Sequence, residues 1–116
     1  MVPNSLTSRG VCNRRETRIP LRRSLKISPC SGSETMAAEL FDCSSWGVGM
    51  FLKKALPCGE QFMIELRGSA PRIALYTVRN CKREENGFRV GAEFEGYIVA
   101  PPATTRESIV DALMRM

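Results

Sequence analysis

The stretch Glu84-Glu85-Asn86-Gly87-Phe88-Arg89-Val90-Gly91-Ala92-Glu93-Phe94 decides how this chain folds. Asn-Gly readily supplies the backbone conformations of a tight hairpin turn. Beyond it, Phe88, Val90, Ala92 and Phe94 alternate with Arg89, Gly91 and Glu93. That period of two puts apolar side chains on one face of a strand and polar ones on the other. The same grammar repeats upstream. Residues 72–78 are rich in β-branched and aromatic side chains and read as the other arm of the hairpin. Phe62, Ile64 and Leu66 alternate before Arg67-Gly68-Ser69, and Val48, Met50 and Leu52 alternate before the turn Leu56-Pro57-Cys58-Gly59. A strand over 35–41 delivers Asp42 at its end. Leu21, Arg23, Leu25 and Ile27 share one face of a first strand, which stops at Pro29-Cys30-Ser31-Gly32-Ser33. Short strands separated by turn signals, with nothing helical between them, predict an all-β fold: an antiparallel barrel or a sandwich.

The period changes after Pro101-Pro102. Thr104 and Glu107 have the spacing of a capping box, and Ile109, Ala112, Leu113 and Met116 fall on one helical face. A C-terminal helix of about three turns is expected to pack on the strands. Residues 1–13 lack periodicity and read as a flexible leader, leaving 14–116 as one domain. A length of 116 residues is enough for one core and too short for two ordinary ones. No apolar run approaches the roughly 18 residues of a membrane span. The first residues do not resemble a secretory signal, so a cytoplasmic location is expected. Five cysteines, an odd number with no pair at metal-ligand spacing, read as reduced thiols. The absence of histidine removes the commonest general base and metal ligand. Neither a metal site nor a catalytic residue is expected, and an enzyme is the least expected class.

Charge is concentrated at one end. Residues 1–33 hold seven Lys/Arg and one acid, whereas the remainder holds ten basic and eleven acidic side chains. A local positive potential suits a discrete anionic ligand or a basic arm on nucleic acid. Within that segment, Arg14-Arg15-Glu16-Thr17-Arg18 offers guanidinium forks, which hold a phosphate or the O6/N7 edge of guanine through paired hydrogen bonds. Arginine pairs are also common in solvated linkers. A second stretch, Asp42-Cys43-Ser44-Ser45-Trp46-Gly47, offers a carboxylate able to accept from the N1 and N2 hydrogens of guanine, together with hydroxyl donors. Gly47 there allows either a positive φ or a close backbone approach. The bland reading of this stretch is a serine turn bonded only to itself. Trp46 suits either stacking on a base or ordinary packing.

Together these residues resemble the PilZ domain, a bacterial receptor for the second messenger cyclic di-GMP. Arg14 to Arg18, followed by Ile19-Pro20, resembles its RxxxR motif. Asp42 to Gly47 resembles its [DN]xSxxG motif, and Gly87 to Phe94 resembles its closing strand. The resemblance covers about residues 13 to 115. It implies a six-stranded antiparallel β-barrel of the split-barrel type with a C-terminal α-helix, binding cyclic di-GMP on its outer surface. By position, Arg14 and Arg18 would clamp phosphate and guanine with Arg15 assisting. Asp42 and Ser44 would meet the ligand from the barrel, and Gly47 would shape the turn. Asn13 stands where an arginine influences stoichiometry in the family, leaving one bound ligand or a stacked pair as alternatives. The expected mechanism is an ordering of the arginine leader onto the barrel, which creates a surface for a downstream protein effector. No DNA, RNA or membrane partner is expected. Two alternatives stand beside this reading. One is a small basic barrel binding RNA or single-stranded DNA, although only eight aromatics are present and several point inward. The other is a PilZ-like protein-interaction module without ligand.

Overall fold

The computed structural model describes residues 18–32, 34–66, 72–99 and 108–116. The expected leader, together with Arg14 and Arg15, lies outside the described residues. Six strands are formed: β1 (Ile19–Pro29), β2 (Met36–Cys43), β3 (Gly47–Leu52), β4 (Gln61–Leu66), β5 (Arg72–Glu84) and β6 (Gly87–Val99). They close into a barrel in the order β1-β2-β3-β6-β5-β4, with every pair of neighbours antiparallel. Barrel and sandwich were both compatible with the sequence pattern, and the pairing of β1 with β4 makes it a barrel. That seam is short, with Ser28 opposite Met63 and Pro29 opposite Phe62.

Alternation accounts for the core. Leu25 and Ile27 of β1, Ala38 and Leu40 of β2, and Val48, Met50 and Leu52 of β3 point inward. Phe62, Ile64 and Leu66 of β4 do the same, as do Val90 and Ala92 of β6. Phe62 stacks on Tyr76 with ring centroids 5.6 Å apart, and Tyr76 meets Phe94 at 5.5 Å. Removing such apolar area from water is the main force holding the barrel closed.

Two features depart from the sequence reading. The hairpin is longer than expected, since β5 continues past Val78 to Glu84 and β6 runs to Val99. The segment Arg79-Asn80-Cys81-Lys82-Arg83-Glu84 has no apolar face to announce a strand, and its pairing with residues 87–91 extends it. The helix, α1 (Ile109–Met114), has six residues rather than about three turns. Its N-cap is Ser108, whose hydroxyl accepts from the Asp111 N–H at 3.1 Å. Thr104 and Glu107, read as the capping box, lie outside the described residues. Ile109, Ala112 and Leu113 are buried as expected. Arg23 fastens the far end, donating from Nε and Nη2 to the Met114 carbonyl at 3.2 and 2.7 Å. A carbonyl at the C-terminal end of a helix lacks an intrahelical partner, and a guanidinium supplies one. No helix among the described residues is long and apolar enough to cross a membrane.

Candidate ligand-binding site

The site begins with a fault in the pairing of β2. Leu40 lies opposite Met50, but Asp42 lies opposite Gly49, so β2 carries one extra residue at this point. Such a bulge re-aims the side chains around it. Leu40 and Cys43 are both buried, three positions apart, while Phe41 and Asp42 between them are only partly covered. A strict alternation would have sent Asp42 inward along with Leu40. The bulge instead turns its carboxylate to the outer face.

There the carboxylate meets Arg18. The Arg18 Nη1 donates to Asp42 Oδ1 at 3.0 Å across a sequence separation of 24 residues. Ile19 pairs with Cys43, so the chain ahead of β1 enters beside the turn that follows β2. The two motifs are thus joined directly. Both side chains are partly solvated, at 51% and 26% exposure, so the pair contributes about 0–1 kcal/mol to stability. A better anionic partner for the guanidinium can displace it at little cost.

Beside this pair runs a row of glycines that neighbouring side chains cover: the Phe41 ring and the Asp42 carboxylate lie over Gly49, and the Asn80 amide lies over Gly91. Asp42 is opposite Gly49, Gly49 is opposite Gly91, and Gly91 is opposite Asn80, a row across four strands. A Cβ at Gly49 would lie 2.7 Å from both Asp42 Oδ1 and the Phe41 ring. Glycine there lets the carboxylate lie flat on the sheet. One side of the row is walled by Arg89, whose guanidinium sits 4.7 Å from the Phe41 ring centre and 5.0 Å from that of Phe51. Phe41 and Phe51 are therefore outer-face aromatics. On the other side, Arg79 donates to Glu93 at 2.6 Å and to Glu95 at 3.2 Å.

The turn of the second motif is fixed by its own atoms. The Ser44 N–H donates to the Gly47 carbonyl at 2.9 Å. The Trp46 N–H donates to Ser44 Oγ at 3.1 Å, and the Trp46 carbonyl accepts from the Phe94 N–H at 2.7 Å. Ser44 is buried, with its hydroxyl turned to the local backbone as in a serine turn. Of the two reasons for Gly47, close approach is the operative one. A Cβ there would lie 2.2 Å from the Ala92 carbonyl oxygen of β6, and Gly47 is not among the positive-φ glycines. Beneath the turn, burial pushes the Cys43 thiol pKa up, Asp42 adds to the rise, and Arg18 opposes it.

Of the six residues singled out from the sequence, Arg18, Asp42, Ser44 and Gly47 are brought to one end of the barrel, while Arg14 and Arg15 lie outside the described residues. The Gly49–Gly91 row and the flanking Arg79 and Arg89 were not singled out as site residues. Their signal was present only as a glycine on the polar side of two neighbouring strands, which needs the strand register before it means anything. No group of three or more His, Cys, Asp or Glu among the described residues is placed to hold a metal.

The model of one family, the PilZ domain, matches residues 13–111. The chain belongs to the PilZ domain family. PilZ domains are in general cyclic di-GMP receptors, binding modules rather than enzymes. A comparison with curated proteins finds no match.

Proposed function

We propose that this PilZ domain is a receptor for cyclic di-GMP, binding it on the outer barrel face with Arg18 and Asp42 at the centre of the site. The observation that carries the reading is the Arg18–Asp42 pair lying beside the glycine row. Its chemistry matches both parts of the ligand. A carboxylate has only acceptors, which suits the N1 and N2 donors of guanine. A guanidinium presents a planar fork to phosphate oxygens or to the O6/N7 edge of guanine. The glycine row lets the Asp42 carboxylate and the Phe41 ring lie close to the sheet, which fixes where the acceptors sit.

Binding then amounts to a change of partners. Arg18 moves from the Asp42 carboxylate to the ligand, and Asp42 turns its freed acceptors to the guanine edge. Arg14 and Arg15 add charge from the same segment. Gly47 and Ser44 hold the turn in place, with Ser44 acting through the backbone of Trp46. The rearranged arginine segment presents a new surface to a downstream protein effector, in keeping with a binding module rather than an enzyme.

Calorimetric titration of the wild type, Arg18→Ala and Asp42→Ala with cyclic di-GMP tests the assignment. A charge-assisted contact contributes about 1.5–3 kcal/mol, so each variant should bind at least about tenfold more weakly. Thermal midpoints should stay close to wild type, because the pair itself stabilises little. Unchanged affinity in both variants would overturn the site.

A further inference from the structure

We infer that Trp46 is the stacking platform for one guanine of the bound cyclic di-GMP, an inference that rests on the receptor reading above. Trp46 is the only tryptophan of the chain. It is 59% exposed, the most exposed of the large hydrophobic side chains among the described residues. Ordinary packing therefore does not explain it. Mobility does not either, since its N–H is held by Ser44 Oγ at 3.1 Å and its carbonyl by the Phe94 N–H at 2.7 Å. The neighbouring Gly47 is pressed against the β6 backbone. The indole is thus an apolar plane displayed to water on a backbone that is already held, so stacking has to order one side chain and not the turn that carries it.

Its position supplies the target. Trp46 lies in the turn that follows Asp42, at the barrel end where Ile19 pairs with Cys43 and Arg18 arrives. A base whose edge is read by Asp42 needs a face partner from a neighbouring element, and Trp46 is the aromatic carried by this turn. Phe41 and Phe51 are already engaged with each other and with Arg89. Stacking accepts any purine face. Trp46 therefore contributes affinity, while Asp42 contributes the choice of guanine.

A sole tryptophan makes the test direct. The full chain and its Trp46→Ala and Trp46→Phe variants are titrated with cyclic di-GMP by calorimetry, and wild-type emission is followed in parallel with correction for ligand absorbance. The expected result is saturable quenching whose midpoint matches the calorimetric Kd. Trp46→Ala should bind roughly fivefold or more weakly, with Trp46→Phe recovering most of the loss. An exposed side chain leaves no core cavity, so both variants should melt close to wild type. Calorimetric binding with unchanged emission, or Trp46→Ala binding as tightly as wild type, would overturn the stack and leave the receptor reading standing; the latter result would suit an indole that docks a protein instead. Absence of any binding by the wild type would overturn both.

Discussion

At the scale of single residues, Gly47 and Tyr76 make opposite demands on the barrel. Gly47→Ala places a methyl group 2.2 Å from the Ala92 carbonyl oxygen, and because the obstacle is backbone the strands must part. A loss of about 1–3 kcal/mol, read from urea denaturation, is expected. Tyr76 is buried with a hydroxyl that has no hydrogen-bond partner among the described residues. Tyr76→Phe should therefore leave stability unchanged or raise it by up to about 1 kcal/mol. The same burial pushes the Tyr76 pKa up, with smaller contributions from Cys43 and Tyr97, and the Cys43 thiol is raised from 9.0. In the unfolded chain both groups lose their protons at ordinary values, while the folded barrel keeps them. Between those values the folded state binds more protons, so stability is full below about pH 9 and falls as pH rises further. Denaturation midpoints measured from pH 7 to 11 should show that decline, and Tyr76→Phe should flatten it. Midpoints that rise with alkaline pH would show that burial does not hold these protons in the folded barrel.

At the scale of elements, most strands were legible because one face of each is apolar at every second residue. The exceptions are physical. The far half of β5, from Arg79 to Glu84, is polar on both faces and is a strand only because β6 pairs with it. The helix was anticipated from Ile109, Ala112 and Leu113, but its start moved from Thr104 to Ser108, two capping sequences of similar chemistry lying four residues apart. The bulge of β2 left a trace in the spacing of Leu40 and Cys43, three rather than two, yet only the pairing with β3 reveals that it turns Asp42 outward. Gly49 belongs to the same device. Gly49→Ala should displace the Asp42 carboxylate, weakening cyclic di-GMP binding at least about tenfold by calorimetry. Arg23 ties α1 to β1 through the Met114 carbonyl. Arg23→Ala should free the C-terminal turn, lowering stability by about 1 kcal/mol and speeding hydrogen exchange there first. Exchange unchanged in that turn would show that apolar burial of Ile109 and Leu113 alone holds the helix.

At the scale of the molecule, the barrel brings an acceptor and a donor from opposite ends of a hairpin together beside two glycines over which the Asp42 carboxylate, the Phe41 ring and the Asn80 amide lie. That pair, Arg18 with Asp42, is weak enough to exchange. Because the ligand is a dianion and the receiving groups are solvent-facing, binding should weaken as salt rises from 50 to 500 mM, in line with screening over about 10 Å at 0.1 M. Recognition of the base, by contrast, should survive salt, since it depends on hydrogen-bond direction. If Asp42 reads the guanine edge, this surface distinguishes guanine from adenine in a cyclic dinucleotide. Calorimetric titration of the full chain with cyclic di-GMP and, separately, with cyclic di-AMP tests it most directly. Saturable binding of cyclic di-GMP with a preference of at least about tenfold is expected, because adenine lacks the N1 and N2 donors that a carboxylate accepts. Equal affinity for the two dinucleotides, or no binding of either, would contradict that reading.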